Sequence, residues 1–585
     1  MPELSFGAVE KILFALAILG GLAYFSYTMY RRLALVFRAQ PDARFGDVGR
    51  NVASAIKFGF GQGRMPQDLV PGLFHIFIFV GFMVLSLRTL VIFGMGFGGA
   101  AFNLENIPGI GGFIGPLYAV LRDLVVIGVL IGCAGFTWRR LVSKPVRMQN
   151  IVHWEAVLIL CWIASLMFAD MLLEGGYLAW AGENGFPHHA WAPQLGQIFE
   201  PLFDAESGAL TWKAMVWVHS VLILGFLNYL PFGKHFHVIT AIPNTFFGQL
   251  QPGGRIVPIH DIEGKFEKME TDPTIAIGIA KAEDLSWKQI MDVYSCTECG
   301  RCVPYCPAWS TDKPLSHRQV NKDIRANLME KADFILGKKA NGNGNGEAAA
   351  WDGKEITGQS VLAETIWSCT LCKDCEDRCP VLIEQVPRIV QMRQYLSMLL
   401  GEMPAEVANF MKNVERNSNP WGLGPDKRAD WIAKAAEEGI PVKQMAELTP
   451  EELQELEYLF FVGCMGSFDD RSNKVTRALC KILNAAGVKY AVLGVEEQCN
   501  GETARRLGNE YLAQMMMTMN IQTFMAYGVK KIITFCPHCF NTIKNEYTDF
   551  IPGARDTLED KDTQEKLTRT SPPSKRFTPT NWCAS

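Results

Sequence analysis

Two stretches of this chain repeat one spacing of cysteine and proline. Residues 296–307 read C-T-E-C-G-R-C-V-P-Y-C-P, and residues 369–380 read C-T-L-C-K-D-C-E-D-R-C-P. Each is a C-x2-C-x2-C-x3-C-P run, in which three thiolates wrap one face of an iron–sulfur cubane and the fourth, beside proline, turns toward a neighbouring cluster. The crossed assignment gives Cys296, Cys299, Cys302 and Cys379 to one [4Fe–4S] cluster. Cys369, Cys372, Cys375 and Cys306 go to a second. A pair of zinc sites is the alternative, but zinc uses four ligands in two pairs and has no need of a repeated octet.

Composition divides the 585 residues in two, and length alone suggests three or four domains. Residues up to about 235 hold most of the long apolar runs, while the remainder carries most of the charge and 14 of the 16 cysteines. A net charge of -4 with no basic stripe excludes a phosphate-backbone partner such as nucleic acid. Cysteines grouped as C-x-x-C in a large chain favour metal ligation over disulfides, and so a reducing cytoplasm for the cysteine-rich part.

Five apolar stretches, near 8–30, 69–97, 112–137, 152–173 and 209–232, are long enough to cross a hydrocarbon layer, which takes about 20 helical residues. The first ends at Arg31-Arg32 without a small-residue cleavage site and reads as a retained anchor. Arg31, Arg32, Arg38, Arg44, Arg50, Lys57 and Arg64 follow it, and Arg139, Arg140, Lys144 and Arg147 follow the third. The loops near 98–110 and 174–208 hold no Lys or Arg. Basic loops stay inside, so a multi-pass protein of the cytoplasmic membrane is expected. Its N-terminus lies outside and its cysteine-rich part in the cytoplasm.

A haem in a helical bundle needs imidazoles from two helices at similar depth. The candidates are His75, His153, His219 and His237, with His235 as the alternative to His237. His219 and His237 are 18 residues apart, five whole turns, and share a face if one helix spans both. The plain alternative for each is a packed or interfacial histidine. Arg88, Arg122, Asp123, Glu155 and Asp170 also fall in the spans. For Arg88 and Arg122, a haem propionate, an interhelical Arg–Asp contact and snorkelling all remain open.

Between the cysteine runs, residues 307–368 include the tract G-K-K-A-N-G-N-G-N-G-E, expected as a flexible surface loop with helices near 315–336 and 359–367. A helical connector leads to L-F-F-V-G-C, K-Y-A-V-L-G-V and K-K-I-I-T-F-C, which read as strands alternating with helices near 470–486 and 502–527, a parallel α/β layer. Cys464, Cys499, Cys536 and Cys539 lie at or beyond the strand ends, where an open sheet gathers its ligands. They form a candidate third iron–sulfur site; the alternative is that Cys464 and Cys499 are ordinary core residues. Cys480 falls mid-helix and reads as core. A polar tail, R-D-T-L-E-D-K-D-T-Q and onward to Cys583, reads as disordered.

The two cysteine runs resemble those of bacterial two-cluster ferredoxins. L-F-H at His75, His219 and K-H-F-H at 234–237 look like the haem-ligand pattern of the haem b subunit of respiratory nitrate reductase. Leu85 stands where that family has a further histidine, so a second haem would depend on His153. Cys464, Cys499-Asn500-Gly501 and Cys536-Pro537-His538-Cys539 resemble the C…C-C-G…C-x-x-C motif of heterodisulfide reductases, with Asn500 replacing one cysteine and four thiolates left for a cluster. That family normally carries a second such domain. The order of parts resembles the membrane-bound electron-transfer flavoprotein:menaquinone oxidoreductase group.

The resemblance implies a multi-domain fold. A five-helix transmembrane haem b bundle (1–240) precedes an α-helical two-cluster ferredoxin-like domain (241–400) and a helical connector (401–456). A parallel α/β cysteine-rich domain (457–550) and a disordered tail (551–585) complete it. It implies an oxidoreductase with two [4Fe–4S] clusters, a third Fe–S cluster and one or two haems b. Electrons would pass from electron-transfer flavoprotein or a similar soluble flavoprotein to quinone, expected to be menaquinone, in the lipid bilayer. The rival readings are a disulfide reductase using quinol and a relay subunit of a lactate or glycolate dehydrogenase.

Overall fold

The apolar stretches fold into five long helices: α1 (Ala8–Arg38), α2 (Leu69–Gly98), α3 (Gly111–Trp138), α4 (Trp154–Glu183) and α5 (Ala205–Tyr229). All five are long and apolar enough to cross a membrane. This computed structural model describes residues 4–104, 109, 111–148, 153–184, 195–248, 255–272, 275–337, 351 and 353–550. Residues 338–347 of the low-complexity tract and the tail with Cys583 lie outside the described residues.

Two helix ends differ from the sequence expectation. α1 does not stop at Arg31-Arg32 but continues to Arg38. Arginine is a good helix former, and these two find partners: Arg31 pairs with Asp333, and Arg32 Nε donates to the Pro231 carbonyl at 3.1 Å. The fifth helix stops at Tyr229, short of the expected 232, so it does not span both His219 and His237. Pro231 disfavours helix in the residue before it, and a 3-10 turn, Lys234–Phe236, leads into a new helix α6 (His237–Phe246).

The buried ion pairs of the bundle join helices through Arg88 and Arg122. Arg88 Nε lies 2.8 Å from Asp170 Oδ1, and Glu174 Oε2 accepts from Arg88 Nη2 and Arg122 Nη1, both at 2.9 Å. Asp123 completes the lattice by accepting from Arg122 Nε at 3.0 Å. The interhelical Arg–Asp contact is realised for Arg88, while Arg122 reaches across to Glu174 instead. Glu174 went unread because the expected span ended one residue before it, whereas α4 runs to Glu183.

After the bundle come α7 (Trp287–Ser295), α8 (His317–Glu330) and α9 (Gln385–Gln394), with the cysteine runs in the loops between them. Ser286 starts α7 with a capping box, its hydroxyl accepting from Gln289 N and its own N–H donating to Gln289 Oε1. Leu285, Val293, Ile324, Leu328 and Met392 build the core together with Cys306, Cys369 and Cys375. Leu35 and Val36 of α1 belong to that same core. The first membrane helix is therefore also a structural member of the iron–sulfur region.

Polar contacts complete the junction. Arg301 donates to the carbonyls of Arg64 (3.0 Å) and Met65 (3.3 Å), while Arg64 donates back to those of Glu376 (2.6 Å) and Cys379 (3.0 Å). Arg44 forks onto Glu384 at 2.8 and 2.9 Å, a bidentate, charge-assisted geometry.

The C-terminal sheet has three parallel strands, β1 (Tyr458–Phe460), β2 (Tyr490–Ala491) and β3 (Ile532–Ile533), in the order β2-β1-β3. They are shorter than the apolar runs that contain them, because the remaining residues turn into the site. Phe460 and Cys480 pack with Trp431 on one side, and Phe461 and Phe524 on the other. Arg393 ties this domain to the second cysteine run, donating to the carbonyls of Arg506 (3.0 Å) and Cys369 (2.6 Å).

Arg44→Ala removes the fork from Glu384, which lies beside Asp292 and Lys288. For a mostly buried pair the expected loss is about 2–3 kcal/mol, read as a lower midpoint of thermal unfolding in detergent. Arg50→Ala, whose partner Asp47 is as exposed as itself, should change it by less than about 0.5 kcal/mol.

Candidate functional site

The two cysteine runs adopt the same local fold. Glu298 and Gly300 flank Cys299 at φ 55° and 72°, and Leu371 and Lys373 flank Cys372 at φ 57° and 65°. These left-handed residues curl each run so that its cysteines face inward, a strain that only a fixed site sustains. Cys306 is extended, and Pro307 then opens a helical turn, which needs no N–H there. Gly300 has a further reason: a Cβ would sit 2.6 Å from the Arg147 carbonyl, so glycine lets the first run lie against the membrane loop.

Cys296, Cys299, Cys302 and Cys379 line one small cavity with Asn321 and Ile383. Cys369 lies within electrostatic reach of Cys306 and Cys372, and Cys375 of Cys369 and Cys372. Both crossed sets are thus brought together, and Cys375 also reaches Cys302 of the other set. Among the described residues, no three or more His, Cys, Asp or Glu draw tight enough to hold a single metal ion. Burial pushes the Cys369 thiol up to about 11 and Cys379 up to about 12, so iron must replace the proton for these sulfurs to act as thiolates. Ile383 N and Leu371 N donate to Cys379 Sγ and Cys369 Sγ, each at 3.4 Å, and Asn321 Nδ2 lies 3.6 Å from Cys296 Sγ.

The four C-terminal cysteines also converge. Cys464 follows β1, Cys499 follows β2 and Cys536 follows β3, where it precedes Pro537 at the start of the helix Pro537–Asn545. Cys464 is hydrogen-bonded with Cys499, and Cys536 with Cys539. Gly463, at φ 75°, has no room for a side chain, since a Cβ would lie 3.0 Å from Cys539 Sγ. The Cys499 thiol and then the Arg428 guanidinium, whose Nη2 is 3.4 Å from Cys464 Sγ, bring the Cys464 thiol down to about 6. Its Cys539 neighbour does the same for Cys536, also to about 6. Asn500 Nδ2 donates to Cys539 Sγ at 3.1 Å. Asparagine thus supplies an N–H to a sulfur where the resembling motif has a fifth thiolate.

A cavity of about 330 Å³ lies between the bundle and the first cysteine run. His75, His219, His235 and His237 line it, and so do Cys299 and Arg301. His237 Nδ1 is 3.1 Å from the Lys234 carbonyl, an arrangement that fixes the ring and leaves Nε2 for another partner. His75 Nδ1 and His235 Nδ1 have no partner. His219 and His237 reach the same cavity although no single helix joins them. His153 precedes α4 and does not line it. Neither do Arg88 and Arg122; Arg140 does, with a buried, unpaired Nη1. Sequence reasoning missed Arg140 because nothing in its spacing separates it from the other basic residues of that loop.

Comparison with known proteins agrees with this architecture. Residues 292–383 match the 4Fe-4S dicluster domain and residues 458–544 the cysteine-rich domain family. The chain is 34% identical over 573 residues to the probable iron-sulfur-binding oxidoreductase FadF of Bacillus subtilis, covering 92% of this chain and 77% of that protein. It is 34% identical over 554 residues to EtfAB:quinone oxidoreductase of Syntrophomonas wolfei, covering 90% of this chain and 73% of the relative. The chain belongs to this iron–sulfur oxidoreductase family. A component of the dihydromethanophenazine:CoB–CoM heterodisulfide reductase of Methanosarcina mazei is 24% identical over 272 residues, covering 45% of this chain and 60% of that polypeptide. No solved structure matches the chain. As an oxidoreductase of this family, the protein carries iron–sulfur clusters.

With iron removed by chelation, iodoacetamide should label Cys464 and Cys536 along a titration centred near pH 6, with the rate at pH 5 about tenfold below its plateau. Cys480, buried and raised by that burial, should stay unmodified across the same range. Peptide mass spectrometry reads both.

Proposed function

We propose that the protein takes electrons from a soluble flavoprotein of the electron-transfer flavoprotein type and delivers them to quinone, menaquinone by preference. One observation carries this reading: a single cavity is lined by His75 and His237 at its wall and by Cys299 and Arg301 at its floor. Imidazoles and a cluster-ligand cysteine thus share one compartment. The ligand sets are the crossed ones, with Cys464, Cys499, Cys536 and Cys539 holding a third cluster. The clusters and a haem b supply one-electron transfer.

The chain's own residues do the rest. His75 and His237 would hold a haem, with the His237 ring oriented by the Lys234 carbonyl. The unpaired Arg140 Nη1 is available to a propionate. Arg393 holds the C-terminal domain against the second cysteine run, and Arg301 with Arg64 holds the first run against the bundle. The series is therefore C-terminal site, second run, first run, haem. Its iron–sulfur part lies on the cytoplasmic side, as the basic loops direct. Over one turnover, two electrons leave a reduced flavin singly, and two protons from water complete the quinol. Disulfide reduction is less well supported, because Asn500 gives the C-terminal site an N–H donor in place of a fifth thiolate.

In vesicles, menaquinone analogues should re-oxidise the dithionite-reduced haem rapidly; failure of every quinone tested rules the scheme out. His75→Leu should lose the haem, measured as pyridine haemochromogen, while cluster iron and acid-labile sulfide stay at the wild-type level.

A further inference from the structure

The cavity has a far end that a haem between His75 and His237 does not fill. Along α2 its wall runs from Pro71 past His75 to Leu85, Ser86 and Thr89, roughly 27 Å at a rise of 1.5 Å per residue. His219 lines this end. It is only 4% exposed, and neither ring nitrogen completes a hydrogen bond, although the Leu166 carbonyl lies close to the ring. A buried polar group left in this state is costly, so the imidazole calls for a ligand.

Iron does not suit that place. Ten residues beyond His75, the same wall presents Leu85, and no imidazole besides those of His75, His219, His235 and His237 lines the cavity among the described residues. With His75 and His237 assigned to the haem of the reading above, the imidazole left for His219 is that of His235, which adjoins His237. The surroundings suit a flat, apolar ring instead: Leu85, Leu160, Ile163 and Phe226 are all at hand. Phe82 and Met83, each 46% exposed, and the exposed Ser86 also line the cavity. They lie midway along α2, so the opening they frame faces hydrocarbon.

We infer that the His219 end is the quinone headgroup site, entered from the bilayer between Phe82 and Ser86, with an imidazole N–H donating to one quinone carbonyl oxygen and the prenyl tail left in lipid. This rests on the flavoprotein-to-quinone reading above and names the place of its last step. His219 is then a quinone-binding residue, and His75 with His237 the single haem pair.

The test uses full-length protein in detergent and 2-heptyl-4-hydroxyquinoline N-oxide, a quinone-head analogue whose fluorescence is quenched on binding. His219→Leu should weaken binding at least about tenfold, the loss expected for one buried hydrogen bond. His219→Gln, which keeps an N–H donor, should fall in between. Both variants should keep wild-type haem content, optical spectrum and cluster iron. Unchanged binding in His219→Leu overturns the inference, and so does loss of haem or an altered low-spin haem signal, which would make His219 an axial ligand. The titration needs no electron donor, so failure of the electron-transfer reading appears separately, as absent turnover in a wild type that still binds the analogue.

Discussion

Two arginines clasp the membrane bundle to the two cysteine runs, and the rest of the arrangement depends on their hold. Arg64, from the loop before α2, donates to the carbonyl of Cys379, and Arg301, inside the first run, donates back to the carbonyl of Arg64. Each bond is charge-assisted; Arg64 uses carbonyls of the loop that carries Cys379, and Arg301 uses carbonyls of the loop before α2. An electron relay tolerates sliding between its parts poorly, because its cofactors must keep their spacing. Basic residues of the loop before α2 and of the first run thus fix the register between bundle and relay.

The sulfurs divide into two chemical kinds. In the paired runs, Cys306, Cys369 and Cys375 pack among aliphatic side chains, and burial holds the Cys369 and Cys375 thiols protonated until metal arrives. Those of the C-terminal site sit beside hydrogen-bond donors and the Arg428 guanidinium, which favour the anion before any metal binds. Exposure does not separate the two kinds: Cys464 and Cys536 are partly exposed, and so are Cys299 and Cys302, while Cys372 is exposed.

Much of this was legible in the sequence for local reasons. The cysteine spacing, the five apolar runs and the three strand–helix alternations depend on neighbours within a few residues, and the chain follows them closely. What escaped was set by distant partners. Arg31-Arg32 reads as a helix end, yet Asp333 and Pro231 receive those side chains and the helix continues. The five-turn spacing of His219 and His237 suggested one helix, but Pro231 and a 3-10 turn intervene, and both rings still reach the cavity. Glu174 and Arg140 looked like boundary residues; one closes a buried ion lattice and the other faces the cavity.

The account's central claim is that the first cysteine run lies next to a haem held by His75 and His237. Low-temperature electron paramagnetic resonance of the half-reduced protein tests it most directly, because a fast-relaxing low-spin haem nearby accelerates relaxation of a reduced cluster. The account predicts one cluster whose relaxation is strongly enhanced while the haem is oxidised and returns to normal once the haem is reduced. Clusters that relax identically in both haem states would contradict it.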